Sequence, residues 1–242
     1  DFIIQTLEDS NIQSDFVQVD EDTRINVKLK SGQETEINAP GPKVTHAQFE
    51  QLLSQIRRTT NDDIVIVAGS VPNSISSDAY AQIAQITEKT GAQLVVDAEK
   101  DLVETVLPYR PLFIKPNKDE LEVMFNTTVK SDEDVIKYGK EILKKGAQSV
   151  IISLGGDGAI YVDQHQSIKA VNPQGHVVNT VGSGDSTVAG MVAGLSMGLN
   201  IDEAFQQAVA SGTATAFSED LATRDAIENI KSQVTISVLD GE

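Results

Sequence analysis

The chain contains no cysteine, no tryptophan and only three histidines. Without cysteine there is neither a disulfide nor a thiolate metal site, a composition that agrees with a reducing cytoplasm. His46, His165 and His176 are scattered with no ligand spacing, so no histidine metal centre is expected, and no Ser-His-Asp or Cys-His arrangement is visible. Basic residues are also scarce. Lys and Arg number 19 against 36 Asp and Glu, a formal charge of −17, which repels nucleic acid and anionic membranes over most of the surface. Any phosphorylated ligand must therefore be met by local donors. No apolar stretch approaches the roughly 20 residues of a membrane span. What remains is 242 residues, 40% of them hydrophobic, enough for one large core or a core with a small appendage.

From about residue 61 short apolar runs alternate with helical patterns. Strands are expected at 64–67, 94–96 and 112–114, with helices at about 77–90 and 100–106 between them. That rhythm predicts βαβ units and an α/β fold with a parallel sheet covered by helices. A helix at 131–144, a hairpin of 150–152 with 159–162, helices at 185–198, 201–216 and 223–231, and a strand at 234–238 complete the series. Residues 15–38 follow a different period. Phe16, Val17 and Val19, then Ile25, Val27 and Leu29, then a turn at Ser31-Gly32, then Thr35 and Ile37, alternate with polar neighbours as strands with one covered face do. Pro40-Gly41-Pro42 closes the segment. It reads as a β lid over 15–40, set on a core of 1–14 and 41–242. The exposed edges of so small a sheet call for a partner, either a ligand-closed core or another subunit, the latter giving a homodimer through the lid. The opening Asp1 to Leu7 lacks an initiator methionine and reads as the middle of an amphipathic helix, which predicts a missing amino-terminal piece.

Gly182-Ser183-Gly184-Asp185 stands directly before a helix of small and apolar residues. Glycines let several N–H groups point one way, and the helix start adds its free amides and positive dipole end, making an oxyanion site suited to a transferring phosphoryl group. Asp185 at its edge can accept the proton of an attacking hydroxyl, or it can simply cap the helix. Ala189, Gly190, Ala193 and Gly194 leave one helix face nearly bare, expected to pack closely on the sheet. The loop from Ser153 through Gly155, Gly156, Asp157 and Gly158 is either a hairpin turn or an opening for a nucleotide's phosphates and ribose. Asn117 and Glu120, after Lys115, are either a capping pair or, at the carboxyl end of a parallel strand, organisers of Mg2+ through its waters. Gly69-Ser70-Val71-Pro72 also follows a strand. Arg24 in Thr23-Arg24-Ile25-Asn26 is a solvated strand residue or a phosphate fork.

Together these segments resemble the PfkB (ribokinase-like) family of carbohydrate kinases. Residues 179–192 match that family's carboxyl-terminal signature, and 115–120, 153–159 and 69–72 follow in the family's order. Segments 23–28, 34–38 and 96–101 look most like members that act on fructose 1-phosphate, with tagatose-6-phosphate kinases close by. The resemblance implies a three-layer α/β/α ribokinase-like core with a mostly parallel sheet and a β lid. It implies a small-molecule sugar phosphate as substrate and transfer of the ATP γ-phosphoryl with Mg2+, most simply fructose 1-phosphate to fructose 1,6-bisphosphate. Asp185 would be the base and the Gly182, Ser183 and Gly184 amides the anion hole. Lys115, Asn117 and the loop Ser153 to Gly158 would hold ATP, Asn117 and Glu120 would serve Mg2+, and Arg24, Asn26 and Ser70 would join Asp185 at the sugar phosphate. Family members open with a strand carrying a substrate-binding aspartate and a Gly-Gly-Lys-Gly type segment, which nothing here matches. A sensor that binds nucleotide or sugar phosphate without catalysis is the reading of another class; a sensor has no need of a base.

Overall fold

The computed structural model describes residues 2–31 and 33–241. Asp1, where the sequence opens, and Gly32, half of the expected hairpin turn, lie outside the described residues. In chain order the elements are α1 (Phe2–Asp9), β1 (Asn26–Ser31), β2 (Gln33–Asn38), α2 (His46–Ile56), β3 (Ile64–Ala68), α3 (Ala79–Thr90), β4 (Gln93–Asp97), α4 (Lys100–Val106) and β5 (Phe113–Ile114). They continue with α5 (Lys118–Phe125), α6 (Asp132–Lys145), β6 (Ser149–Ser153), β7 (Ala159–Val162), β8 (Gln166–Val171), α7 (Ser183–Ser196), α8 (Ile201–Ala216), α9 (Arg224–Lys231) and β9 (Thr235–Gly241).

Strands β3 to β9 form one sheet in sequence order. The pairs from β3 to β6 are parallel and those from β6 to β9 antiparallel, so the expectation of a mostly parallel sheet holds for its first half. Successive strand residues point to opposite faces. Leu94, Val96, Ile114, Val150, Ile152, Ile160 and Val162 join a core with Ile83, Val103, Leu121 and Ile142 of α3 to α6. Their alternates Val95, Phe113, Ile151 and Tyr161 join a second core with Met191, Phe205 and Ile230 of α7 to α9. Two apolar faces on one sheet give three layers. β1 and β2 form a separate antiparallel hairpin.

The expected strand through Phe16, Val17 and Val19 does not form. Two carbonyls of the segment meet α2 instead: Gln48 Nε2 donates to the Gln18 carbonyl at 2.9 Å and Gln55 Nε2 to the Asp15 carbonyl at 2.7 Å. α2 itself, unread in the sequence, starts with a capping box between Thr45 and Gln48, a recognisable Thr-x-x-Gln signal. β8 was likewise unread.

The bare face of α7 is also corrected. Gly190 and Gly194 pack on α8, where a Cβ would lie 2.9 Å from Ala208 Cα and 2.8 Å from Ala204 Cα, and not on the sheet; Ala189 and Ala193 are exposed. Gly158, at φ +94°, lies so close to β8 that a Cβ would stand 1.9 Å from the Ala170 carbonyl oxygen, whereas one on Gly156 would meet nothing within 4 Å. We expect Gly158→Ala to lose about 3 kcal/mol of stability, combining left-handed strain with overpacking, and Gly156→Ala less than about 0.5 kcal/mol, by urea denaturation of both variants.

Candidate functional site

The first turn of α7 is entered through Gly182, whose φ of +79° a side chain would resist. A Cβ there would also press on Leu221 at 2.9 Å. Helical geometry begins at Ser183, so Asp185 is the third helical residue and not the cap; no side chain caps this helix. That removes the helix-cap reading of Asp185. Its carboxylate is exposed and takes part in no hydrogen bond among the described residues. The Ser183 amide donates to the Thr180 carbonyl at 3.2 Å and the Ser186 amide to Gly182 at 2.8 Å, which leaves the amides of Gly182, Gly184 and Asp185 without acceptors among the described residues. Of the three amides expected in an anion hole, that of Ser183 is thus committed to Thr180, while those of Gly182 and Gly184 are not. The Ser183 hydroxyl is buried and unpartnered.

Facing this turn are the carboxyl ends of β4 and β5. Lys115, only 7% exposed, reaches Asp97 Oδ2 at 3.2 Å. A Cβ on Gly184 would lie 3.2 Å from Lys115 Nζ and 4.0 Å from Asp97 Oδ2, so the glycine leaves space for this pair beside the free amides. Burial pushes the Asp97 carboxyl above its ordinary value despite the opposing pull of Lys115, and the nearby Asp185 charge adds to the rise. Asp97 is thus harder to ionise in the folded state than in the unfolded chain, and its ionisation costs stability as pH rises through the folded value. Asp97 went unnoticed as a site residue; a polar residue ending a parallel strand was the available signal. One strand further, Gly69 N–H donates to the Asp97 carbonyl at 2.9 Å, and the Tyr80 hydroxyl to the Gly69 carbonyl at 2.8 Å. Burial first, and then Asp97, push the Tyr80 phenol up to about 12. Next in line, Ser70 Oγ accepts from Arg24 Nη1 at 2.8 Å, so two of the residues expected at the sugar phosphate meet. Arg24 precedes β1 instead of lying on a strand, and Asn26 opens that strand, its Oδ1 accepting from the Ala39 amide at 3.2 Å.

Asn117 and Glu120 form a capping box on α5, each accepting the other's amide at 2.8 Å, so the capping reading holds. Glu120 Oε2 is used in the cap and Oε1 is left over. A cavity of about 530 Å3 runs between this strand end and α7. Lys115, Asn117, Ser153, Gly155, Gly156, Gly158, Ser183 and Gly184 of the expected residues line it, whereas Asp157, Glu120, Gly182, Asp185, Arg24, Asn26 and Ser70 do not. The loop after β6 is a single 3-10 turn, Gly155–Asp157, in which the Gly155 and Gly156 amides have no acceptors among the described residues. Among the described residues no cluster of His, Cys, Asp and Glu could hold a metal ion by itself, and no helix is long and apolar enough to cross a membrane.

A family model described as pfkB family carbohydrate kinase matches residues 1–226. The chain is 40% identical to a 1-phosphofructokinase of Bacillus subtilis over 99% of its own length and 79% of that protein's. It is 34% identical to a D-tagatose-1-phosphate kinase of Bacillus licheniformis, covering 98% of this chain and 79% of that one. A crystal structure of a Staphylococcus aureus protein provisionally assigned as a phosphofructokinase is 80% identical and superposes with a TM-score of 0.91, over all of this chain and 79% of that one. The match in fold and signature agrees with the resemblance drawn from the motifs.

Removing Asp97 strands the buried Lys115 ammonium. Asp97→Ala is expected to cost about 3 to 5 kcal/mol, as breaking a buried pair from one side does, with Asp97→Asn losing less because an oxygen acceptor remains. Urea melts at neutral pH measure this; a loss below about 1 kcal/mol for the alanine variant would show that water reaches Lys115 and the pair is not a buried one.

Proposed function

Because the chain belongs to the pfkB family of carbohydrate kinases, we propose that it transfers the γ-phosphoryl group of ATP to fructose 1-phosphate, giving fructose 1,6-bisphosphate. The observation that carries the reading is an exposed, unbonded Asp185 carboxylate on the same helical turn as free amides and next to a buried lysine. Asp185 takes the proton of the sugar hydroxyl as that oxygen bonds to the γ-phosphorus, and the bond from phosphorus to the ADP oxygen breaks. Charge developing on the non-bridging oxygens meets the Gly184 and Asp185 amides and the Lys115 ammonium, fixed before reaction and so needing little reorganisation. The cavity's volume lies in the usual range for a small-molecule site, and its glycine loop offers amides to the donor's phosphates. Arg24 and Ser70 stand together at the end of β3 for the phosphate the sugar already carries. Mg2+ fits this donor set in its hydrated form: Glu120 Oε1 is left over from the cap, and Mg2+ ordinarily takes one or two carboxylates together with nucleotide phosphates and keeps its waters. Bound there it would neutralise phosphate charge.

A second reading is favoured by the tagatose-phosphate kinase relative: the acceptor is a tagatose phosphate. A coupled assay of ADP release with fructose 1-phosphate, tagatose 6-phosphate and tagatose 1-phosphate separates the two, and turnover of ATP that needs no sugar phosphate would sink both. A non-catalytic sensor leaves the free Asp185 carboxylate without a role.

The lid region, 15–40, presents Ile25, Val27, Leu29 and Ile37 at 46 to 76% exposure, with Val27 opposite Ile37 in the hairpin register. We propose that a second copy covers this face. Val27→Glu should then shift the protein to monomers in sedimentation, and an unchanged mass would refute the lid interface.

Asp185→Asn should keep the fold and ATP affinity while kcat falls about 10²- to 10⁴-fold, the usual size of a general-base contribution. A fall under tenfold would remove Asp185 from the base role. Arg24→Ala should raise KM for the sugar phosphate and leave KM for ATP nearly unchanged, at a cost of about 1.5 to 3 kcal/mol for a charge-assisted contact; equal weakening of both substrates would indicate collapse of the lid instead.

A further inference from the structure

Asn172, the residue immediately after β8, is tied in two directions. Its Nδ2 donates to the Gly155 carbonyl at 3.0 Å and to the Gly156 carbonyl at 3.4 Å. Its Oδ1 accepts from Thr213 Oγ1 at 2.8 Å, a hydroxyl on α8 that also lies 2.8 Å from the Val209 carbonyl. Thr213 is buried at 6% exposure, so the anchor does not move with solvent.

The Gly155–Gly156 stretch it holds has little else to fix it. Leu154 N–H to the Gly158 carbonyl, Asp157 N–H to Leu154 and Gly158 N–H to Gly155 are all internal to the loop. A Cβ on Gly155 or Gly156 would meet nothing within 4 Å, so no neighbour packs against them. Among the described residues Asn172 supplies the only side-chain bonds to the Gly155 and Gly156 backbone. In a trans peptide the C=O and the following N–H point opposite ways. Pulling the Gly155 carbonyl onto Asn172 therefore turns the Gly156 N–H outward, and that amide has no acceptor among the described residues. Two glycines in sequence have wide conformational freedom, and ordering them costs roughly 1 to 2 kcal/mol each in backbone entropy. A loop ordered in advance spares the ligand that cost.

We propose that Asn172 is a positioning residue for the phosphoryl donor: through Thr213 it holds the Gly155–Gly156 peptide with its N–H free for a nucleotide phosphate. This rests on the ATP-dependent kinase reading. Asn172→Ala is expected to raise KM for ATP about tenfold, the loss of one to two ordinary hydrogen bonds, with KM for fructose 1-phosphate unchanged and kcat within about threefold. Thr213→Val, which keeps shape and removes the anchoring hydroxyl, should raise KM for ATP by less. Asn172→Asp keeps the acceptor for Thr213 but places a carboxylate against two carbonyls, and should be at least as severe as alanine. A merely structural role would lower the melting temperature and weaken both substrates together; a positioning role leaves the melt near that of the unmodified protein and separates the two KM values. Calorimetric titration of a non-hydrolysable ATP analogue into each variant reads the same effect without turnover. The idea is overturned if the alanine variant binds the analogue as tightly as the unmodified protein, if both KM values rise equally, or if Asn172→Asp behaves like the unmodified protein. Failure of the unmodified protein to turn over ATP would overturn the kinase reading and this inference with it, whereas active unmodified protein with an indifferent alanine variant overturns the inference alone.

Discussion

The close approach of α7 to α8 is the constraint on which the site depends. A Cβ on Gly212 would lie 2.2 Å from Thr187 Oγ1 and 2.9 Å from the Ser183 carbonyl oxygen, so α8 bears directly on the first turn of α7. Ser186 and Thr215 hydroxyls meet across the same seam at 2.9 Å. Gly190 and Gly194 extend the contact down the helix. Packed interiors shift little under load. The amides at the start of α7 therefore point where the packing aims them, and an electrostatic site of this kind works only if its dipoles are already in place when charge develops.

The acidic surface makes the local charges at the site more consequential. With a formal charge of −17 the protein as a whole opposes an anionic substrate, and among the described residues lining the cavity Lys115 is the one cation. A buried ammonium is costly to leave unpaired, and Asp97 provides the pair at 3.2 Å. The partner is itself costly to ionise, its carboxyl raised by burial and by the Asp185 charge. Two acids and one base thus share a small volume, with Tyr80 and Gly69 binding the same strand ends from behind. Of the two acids, Asp185 is the exposed one, which is what the proposed base role requires.

The sequence made the layers legible because both helix and parallel-strand periods run long enough to be counted: α8 starts and ends where its apolar period does, and β3, β4 and β6 differ from expectation by a residue or so. Phe16 to Val19 misled because alternation reports a half-covered backbone but not what covers it, and here glutamines of α2 do. The glycines of α7 were read correctly as a close-packing face, yet the partner was α8 and not the sheet, since small residues show that something comes near without saying what. Of the candidate residues, Lys115, Asn117, the glycine loop and Asp185 each sit within a short run of sequence and so are visible as patterns. Asp97, Asn172 and Thr213 make their contacts across 16 to 41 residues of separation, and no local pattern marks them.

α8 connects those distant residues, and through it the site's two anion cradles differ in kind. At the start of α7 the amides are held by backbone packed against backbone, with Gly212 touching the Ser183 carbonyl. At Gly155 and Gly156 the amides are held by one half-buried side chain whose hydrogen bonds water can replace. The first can hardly relax; the second can open for about the free energy of a hydrogen bond or two. In phosphoryl transfer that difference has a use. The transferred group must meet fixed dipoles at the moment of reaction, whereas the nucleotide must enter before it and leave after it, and product release often limits turnover. On the proposed kinase reading, a rigid cradle for the migrating phosphoryl and a yielding one for the nucleotide, both seated on one buried helix, would allow exchange at the loop without disturbing the geometry of α7.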